Sequence, residues 1–544
     1  VSRPAPWAWL HPPAEHHRRY AAAGVWRGLT IADCARRRAA AQPDAVVFPN
    51  DPGLPTYATL LADAEALAIS LAELGLRPGE VLSFQIPNWV EAATINLAAA
   101  IGGFVINPIV TIYRDAEVRQ MLADCGAKVF FYAVSGTGFD YAAMLERIRS
   151  DLPDLTHAVP VRGPSSASSF DSLVAAGRGR SQDWPKIDPG AVKLLLYTSG
   201  TTGRPKGVLH SHNTLARVAD ISFTKWGLGE GDAILMPSPV THISGYSSGL
   251  EQPFLAGTRC VLMERWNAEA ALDLIDRYQV AGTVAATPFL KELADAARAR
   301  HLRLPSLRVF ACGGAAVPAD LVRDANTAFA QPCAFRVFGA SEVPLVTLGF
   351  PPATHPALAA ATDGAVIDYE VRLVGESDEA VPDGAEGEIL VRGPAMFMGY
   401  ADEAQTRDAL TEDGYFRTGD IGLFTEDGAM LITGRKKDLI IRGGENISAK
   451  EIEDVLLRHP AVQDVAIVAM PHARLGEGVC AFVVPRSTTP SFSDLVDFIA
   501  ETGLAKQKYP ERIEFTDELP RTASGKVRKD VLRERVRALV AVPV

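Results

Sequence analysis

The sequence has few cysteines, no surplus of positive charge and no long unbroken apolar run, and each shortage closes off a class of protein. Six cysteines, Cys34, Cys125, Cys260, Cys312, Cys333 and Cys480, lie scattered without C-x-x-C spacing, which fits neither a zinc cluster nor a dense disulfide framework. Reduced thiols in a cytoplasm are expected. The chain carries 54 Lys and Arg against 65 Asp and Glu, a formal net charge of −11, whereas a general nucleic-acid binder shows a basic surplus or face. No nucleic-acid partner is expected, and the acidic excess is read as a solubilising surface. The longest apolar stretches, such as residues 97–110 and 280–286, are too short or too interrupted by Gly, Asn and Pro to span a bilayer. No membrane insertion is expected, and the apolar patch at residues 7–10 lacks the long core of an export signal.

What is present is the composition of a folded chain, with 47% hydrophobic and 22% charged residues over a length of 544. That length exceeds the size at which one core stops growing, so two or more domains are expected. From about Leu29 to Ile440, short β-branched runs alternate with Ala- and Leu-rich helical segments, the pattern of parallel α/β architecture. Residues 81–86, 127–132, 192–197, 258–263, 280–285 and 307–311 read as buried strands, and 62–74, 115–125 and 268–278 as helices. A Ser-, Gly- and Pro-rich linker at 163–169 reads as an exposed connection. After Ile440 the texture becomes α+β. Ser448-Ala449-Lys450-Glu451 has the form of a capping box. Strand-like runs follow at 464–469 and 479–484, and helices at 492–501 and 528–539. The fold class expected is therefore α/β, with a large N-terminal domain of several subdomains and mainly parallel sheets over residues 1–434, and a small mobile α+β domain over 435–544.

Directly after the strand at 192–196 comes YTSGTTGRPKGV, from Tyr197 to Val208. Backbone amides of the glycines and the hydroxyls of Thr198, Ser199, Thr201 and Thr202 can face phosphate oxygens, and Lys206 supplies a point charge. A plain polar turn is the bland alternative, but so many phosphate-compatible groups seldom gather behind a buried strand. A P-loop would need G-x-x-x-x-G-K-[ST] opening a helix, whereas here Lys206 follows Pro205 and precedes Gly207. The string resembles the signature loop of the adenylate-forming superfamily, which includes acyl-CoA synthetases, peptide-synthetase adenylation domains and beetle luciferases.

Four further motifs follow in the order of that superfamily: FGASE at 338–342, YFRTGD at 415–420 with Gly434-Arg435, GRKKDLIIRGGENISAKEIE at 434–453, and PRTASGKVRK at 520–529. The resemblance implies that Thr198, Ser199, Gly200, Thr201, Thr202, Gly203 and Lys206 hold the phosphates of ATP. It implies that Phe338 stacks on adenine beside Gly339, that Ser341 contacts the α-phosphate, and that Glu342, with Thr202, holds Mg²⁺. Phe and Ser stand where the family more often has Tyr and Thr, which keeps the stacking face and the hydroxyl. Gly313, Gly314 and Ala315 would run along the adenine and acyl pocket, and Asp420 and Arg435 would hold the ribose hydroxyls. Lys437 would be the hinge, and Gly443 and Gly444 would join the coenzyme A site once the small domain has rotated. Lys526 would bridge the attacking carboxylate and the phosphate, making Lys526, Lys206 and Glu342 the catalytic set.

The activity so implied is an ATP-dependent carboxylic acid:CoA ligase acting through an acyl adenylate. In SPVTHISGYSSG, residues 238–249, His242 falls where relatives line or gate the acyl site, and Val240, Ile243, Tyr246, Gly313 and Ala340 are candidate walls. None is a charge partner for a second acidic group, so an uncharged acid of modest size, branched, cyclic or aromatic, is expected. The run HHRRYAAAGVWRGLT at 16–30 is faintly similar to ligases for ring carboxylic acids. Two rivals share the motifs: an activator that loads a carrier protein's phosphopantetheine, against which no carrier domain is read after Lys529, and a luciferase-like oxygenase. A non-catalytic nucleotide-binding protein would be expected to have lost the loop or the lysine. A homodimer is left open, and the basic residues Lys506, Lys508, Arg512 and Lys529 are read as a solvated face.

Overall fold

Apolar β-branched runs too short for helices, separated by Ala-rich amphipathic segments, give two layered α/β sheets in the first three-fifths of the chain. The computed structural model describes residues 5–10, 15–134, 138–164, 166–198, 205–314, 317–442, 445–472, 474–502, 504–522 and 525–541. The first sheet has seven strands, with Val105–Pro108 at its middle and Val81–Gln85 between it and Val129–Ala133, all three parallel. Towards one edge come Val192–Thr198, then antiparallel Lys206–Ser211, and last the two-residue strand Gly399–Tyr400. The second sheet is parallel throughout, in the order Ala334–Arg336, Val309–Cys312, Val280–Ala285, Ala233–Met236, Arg259–Leu262. Among the described residues no helix is long and apolar enough to cross a membrane.

Most expected elements are present, with shifted ends. The helix expected from residue 62 begins at Tyr57, where Thr56 and Thr59 cap it reciprocally. The linker at 163–169 ends with Ser169 capping the helix Phe170–Gly177. One expectation fails. The α/β alternation does not run to Ile440, because Glu370–Val374, Gly387–Arg392, Phe416–Phe424 and Met430–Arg435 form a four-stranded antiparallel sheet. Its neighbouring strands pair antiparallel and need no crossover, one pair being joined by the turn at Asp427-Gly428, and the first strand shows a half-exposed, alternating face instead of an apolar run.

Beyond Leu439 the strands Leu439–Arg442, Glu445–Ser448, Val462–His472 and Gly476–Pro485 pair antiparallel, and Arg512–Phe515 adds in parallel. One apolar cluster from Ile440 to Ile499 packs on one face, and a second, including Phe482, Leu532 and Val536, packs on the other. The capping box at Ser448 is only half made. Ser448 Oγ accepts from the Glu451 amide at 3.4 Å and donates to the Thr433 carbonyl at 2.8 Å, while the Glu451 carboxylate turns to Lys508. The basic face is likewise internally neutralised, since Arg512 pairs with Glu514 and Lys529 with Glu453.

Candidate active site

The strand Val192–Thr198 and its antiparallel neighbour Lys206–Ser211 bring Thr198 opposite Lys206. Between them Ser199, Gly200, Thr201, Thr202 and Gly203 lie outside the described residues, as do Ala315, Gly443 and Gly444. The loop's entry is anchored where the Tyr197 hydroxyl donates to Asp124 Oδ2 at 2.5 Å. At its exit Lys206 Nζ stands 4.8 Å from the centroid of the Tyr400 ring, within cation–π range.

Glu342 meets the same tyrosine, its Oε1 accepting a 2.8 Å hydrogen bond from the Tyr400 hydroxyl. Ser341 is buried, and its carbonyl accepts from His210 Nε2 at 2.7 Å. Burial pushes His210 down to about 4, so at neutral pH the ring carries one proton and holds this loop without adding charge. Phe338 enters the same loop from a strand that ends in Arg336, which meets Asp363 through two hydrogen bonds of 2.6 and 3.0 Å. Phe338 is buried, with its amide bound to Thr347 Oγ1 at 2.8 Å. At Gly339 a Cβ would stand 2.4 Å from the Leu345 amide nitrogen, so no other residue fits this turn. Ala340 packs half-buried on the cluster that contains Val343 and Phe397.

Asp420 and Arg435 are register partners on adjacent antiparallel strands. Arg435 Nε donates to Asp420 Oδ1 at 2.6 Å, and Asp420 Oδ2, though buried, has no hydrogen-bond partner among the described residues. A buried carboxylate oxygen left open in this way is a site waiting for donors.

Lys526 closes the cluster. Its turn is set by Thr522, whose amide donates to the Lys526 carbonyl at 2.7 Å and whose hydroxyl accepts from the Lys526 amide at 3.1 Å. The side chain reaches the bend after Val309–Cys312, where a Cβ on Gly314, itself at φ +83, would lie 3.9 Å from Lys526 Cε. Burial first, and then the Arg435 charge, lower the Lys526 ammonium to about 8, against the partial compensation of Asp420 and Glu342. Residues from four distant stretches therefore share one electrostatic field.

Gly313 donates its amide to the Ala285 carbonyl at 3.3 Å, at the end of the strand next to the acyl segment. Burial, and after it the Lys526 charge, lower His242 to about 4, and its Nδ1 lies 3.2 Å from Ser244 Oγ. Ile243 is buried beside it. Val240 is buried and donates its amide to Asn88 Oδ1 at 2.8 Å. Tyr246 is spent in the interior: its hydroxyl donates to Asn96 Oδ1 at 2.6 Å, and Asn96 Nδ2 reaches Glu251 Oε1 at 2.7 Å. Glu251 in turn pairs with Lys193, and both side chains are almost completely buried. Lys437 stands two residues after Arg435, and burial, followed by that charge, lowers its ammonium. Its carbonyl and the Asp438 carboxylate accept from Arg533.

Sequence reading missed three of these groups. Tyr400 and His210 carry no local signal, because their roles depend on Glu342 and Ser341, which are distant in the chain. The Lys193–Glu251 pair did have one: a lysine inside the otherwise apolar strand VKLLLYT.

With this geometry in hand, the likenesses to known proteins are specific. A family model for AMP-binding enzymes matches residues 35–401, and one for the AMP-binding enzyme C-terminal domain matches 451–526. The medium-chain fatty-acid–CoA ligase of Escherichia coli (strain K12) is 34% identical over 527 residues, covering 95% of this chain and 92% of that protein. The 2,3-dihydroxybenzoate-AMP ligase of Bacillus subtilis (strain 168) is 32% identical, covering 96% and 97%. Among solved structures, the anthranilate CoA ligase AuaEII in complex with anthranoyl-AMP superposes with a TM-score of 0.85 at 25% identity, covering 95% of this chain and 98% of that one. With both family models matched in order and these likenesses running nearly end to end, the chain belongs to the AMP-binding enzyme family of adenylate-forming ligases.

Proposed function

We propose that the protein is an ATP-dependent carboxylic acid:CoA ligase that forms an acyl adenylate and then an acyl-CoA thioester. The observation that carries the proposal is the seating of Lys526 against Gly314, in the field of Asp420, Glu342 and Arg435. A carboxylate is a poor acyl donor because its leaving group would be oxide. Its oxygen therefore attacks the α-phosphorus of ATP, the bond to pyrophosphate breaks, and the acid becomes a mixed anhydride with AMP. The barrier is the approach of two anions, which a desolvated cation at the point of attack offsets.

In this assignment Lys526 bridges the incoming carboxylate and the α-phosphate, while Lys206 and the loop Thr198, Ser199, Gly200, Thr201, Thr202 and Gly203 hold the pyrophosphate portion. Phe338 and Gly314 flank the adenine, Ser341 meets the α-phosphate, and the open Asp420 Oδ2 together with Arg435 takes the ribose hydroxyls. Glu342 fits a magnesium ion, which takes one or two carboxylates and phosphate oxygens instead of an all-protein cage. Among the described residues only the Tyr400 hydroxyl bonds its carboxylate, which leaves Oε2 for such a role, with Thr202 as a second candidate. Bound there, magnesium would neutralise charge on the phosphates. In the second half the CoA thiol attacks the acyl carbon and AMP leaves. Division of the chain at 434/435, with Lys437 as hinge and Gly443-Gly444 carried to the thiol side, lets one site serve both steps.

The CoA acceptor is supported by likeness to proteins named as CoA ligases, among them those acting on medium-chain fatty acids and indoleacetate. Likeness to proteins named as AMP ligases keeps a second reading, transfer to a carrier-protein thiol. An uncharged acid of modest size suits Val240, Ile243 and a neutral His242, and the buried Lys193 is already paired with Glu251. A panel of acids scored by AMP release, with and without CoA, tests all of this. CoA-dependent release with short, medium or ring acids is expected. Preference for long-chain acids would sink the size assignment, and release only with a carrier protein would sink the CoA assignment.

Asp420→Asn probes the ribose contact separately. Loss of one charged acceptor costs about 1.5–3 kcal/mol, so the KM for ATP is expected to rise about tenfold or more while the KM for the acid stays within about twofold. Equal effects on both substrates would argue against it.

A further inference from the structure

We infer that Tyr400 is a positioning residue that fixes Glu342 and Lys206 relative to each other. Its hydroxyl donates to Glu342 Oε1 at 2.8 Å, and the face of its ring stands 4.8 Å from Lys206 Nζ. Among the described residues no other group hydrogen-bonds the Glu342 carboxylate.

The backbone around Tyr400 is held from every side. Gly399–Tyr400 pairs antiparallel with Leu209 and Val208 on the strand that begins at Lys206. The Met398 amide donates to the Leu209 carbonyl at 2.8 Å, and the Ala401 amide to the Gly207 carbonyl at 2.7 Å. Thr406 Oγ1 accepts from the Tyr400 amide at 2.8 Å, and Trp9 Nε1 reaches the Ala401 carbonyl at 3.1 Å. On the other flank, the Phe397 amide donates to the Glu342 carbonyl at 2.7 Å, and the Phe397 ring meets the Tyr400 ring edge-on at 5.0 Å. A two-residue strand with this many anchors places one phenol accurately.

The chemistry needs such a group. Glu342 and Lys206 have opposite charges and would pair directly if left free, closing the space in which phosphate must lie. The phenol between them satisfies one Glu342 oxygen without neutralising it, and the ring gives the ammonium a partner weaker than a carboxylate. Oε2 then stays open, with its direction set by the bond to Oε1. This inference rests on the proposed roles of Glu342 and Lys206.

Two variants of the full-length protein separate the hydroxyl from the ring. Outer-shell partners of metal ligands are worth about ten- to a hundredfold in metal affinity. Tyr400→Phe is therefore expected to weaken Mn²⁺ binding, read by electron paramagnetic resonance with a non-hydrolysable ATP analogue, by about tenfold. The half-saturating Mg²⁺ in pyrophosphate exchange should rise in parallel, and the KM for ATP should change little. Tyr400→Leu should add an increase of about threefold in that KM as the ring is lost. Thioester formation from supplied acyl adenylate should stay near wild type in Tyr400→Phe, which general damage to the fold would not spare. If wild type shows no acid-dependent exchange, the proposed reaction falls, yet a Mn²⁺ affinity that still drops in Tyr400→Phe supports the positioning role. Wild-type Mn²⁺ affinity and Mg²⁺ dependence in Tyr400→Phe would overturn it.

Discussion

Lys526→Ala is expected to remove acid-dependent pyrophosphate exchange almost completely while leaving thioester formation from supplied acyl adenylate close to wild type. The asymmetry follows from where the charge is needed. Adenylation joins two anions, and one well-placed donor in a desolvated site is worth about 10²–10³ in rate, whereas attack of a thiol on a finished adenylate has no such repulsion to offset. Lys526 adds a full charge to the hydrogen bond, so the loss should lie at or above the top of that range. The pH dependence sharpens the test. Burial and Arg435 bring the ammonium down to about 8, so it is charged at neutral pH and loses its proton as the pH rises through that value. For the wild type, kcat/KM of the first half-reaction should therefore fall on the alkaline side with an apparent pKa near 8, and Lys526→Ala should lose that limb. His242 does not complicate the profile, because a ring held near 4 is neutral throughout this window. Equal loss in both half-reactions would defeat the assignment.

How much of this could be read beforehand depends on the range of the interactions involved. The central strands Val81–Gln85 and Val280–Ala285 were legible because their apolar runs are local facts. The motif loops were legible because phosphate chemistry demands particular residues close together in sequence. Pairing across the fold leaves no such trace. Nothing near Tyr400 indicates that Glu342 will accept its hydrogen bond, and nothing near Ser448 shows that Lys508 will draw off the Glu451 carboxylate and leave the capping box half made. The antiparallel sheet between Glu370 and Arg435 was missed for a related reason. Its first strand buries only one face and that incompletely, so its hydrophobic signal is weak beside the Ala-rich helices that precede it. Lys508, Arg512 and Lys529, which read as part of a solvated face, each meet an acidic partner within the domain.

Glu251→Leu should be among the most destabilising single substitutions in the chain, although the residue touches none of the groups assigned to catalysis. Glu251 ends a π-helical stretch, Tyr246–Glu251, that continues the acyl segment from His242. Its carboxylate is the counter-ion of Lys193, whose side chain is 1% exposed, and it also accepts from Asn96. Burial already lowers the Lys193 ammonium, and the Glu251 charge opposes that loss. Removing the carboxylate leaves a buried cation whose one remaining partner among the described residues is the Tyr246 ring, 5.3 Å away, a defect that costs about 3–5 kcal/mol. The urea midpoint should fall accordingly. Lys193→Met combined with Glu251→Leu removes both charges while nearly preserving volume, and should recover most of the loss, because a buried ion pair and an apolar pair of similar size are close in net stability. Such recovery would assign the cost to the stranded charge. Failure to recover would mean that the hydrogen-bond chain through Asn96 to Tyr246, more than the charge, holds the π-helical stretch. In that case the KM for the acid should rise in the double variant while the KM for ATP stays unchanged, since the stretch continues the acyl segment from His242.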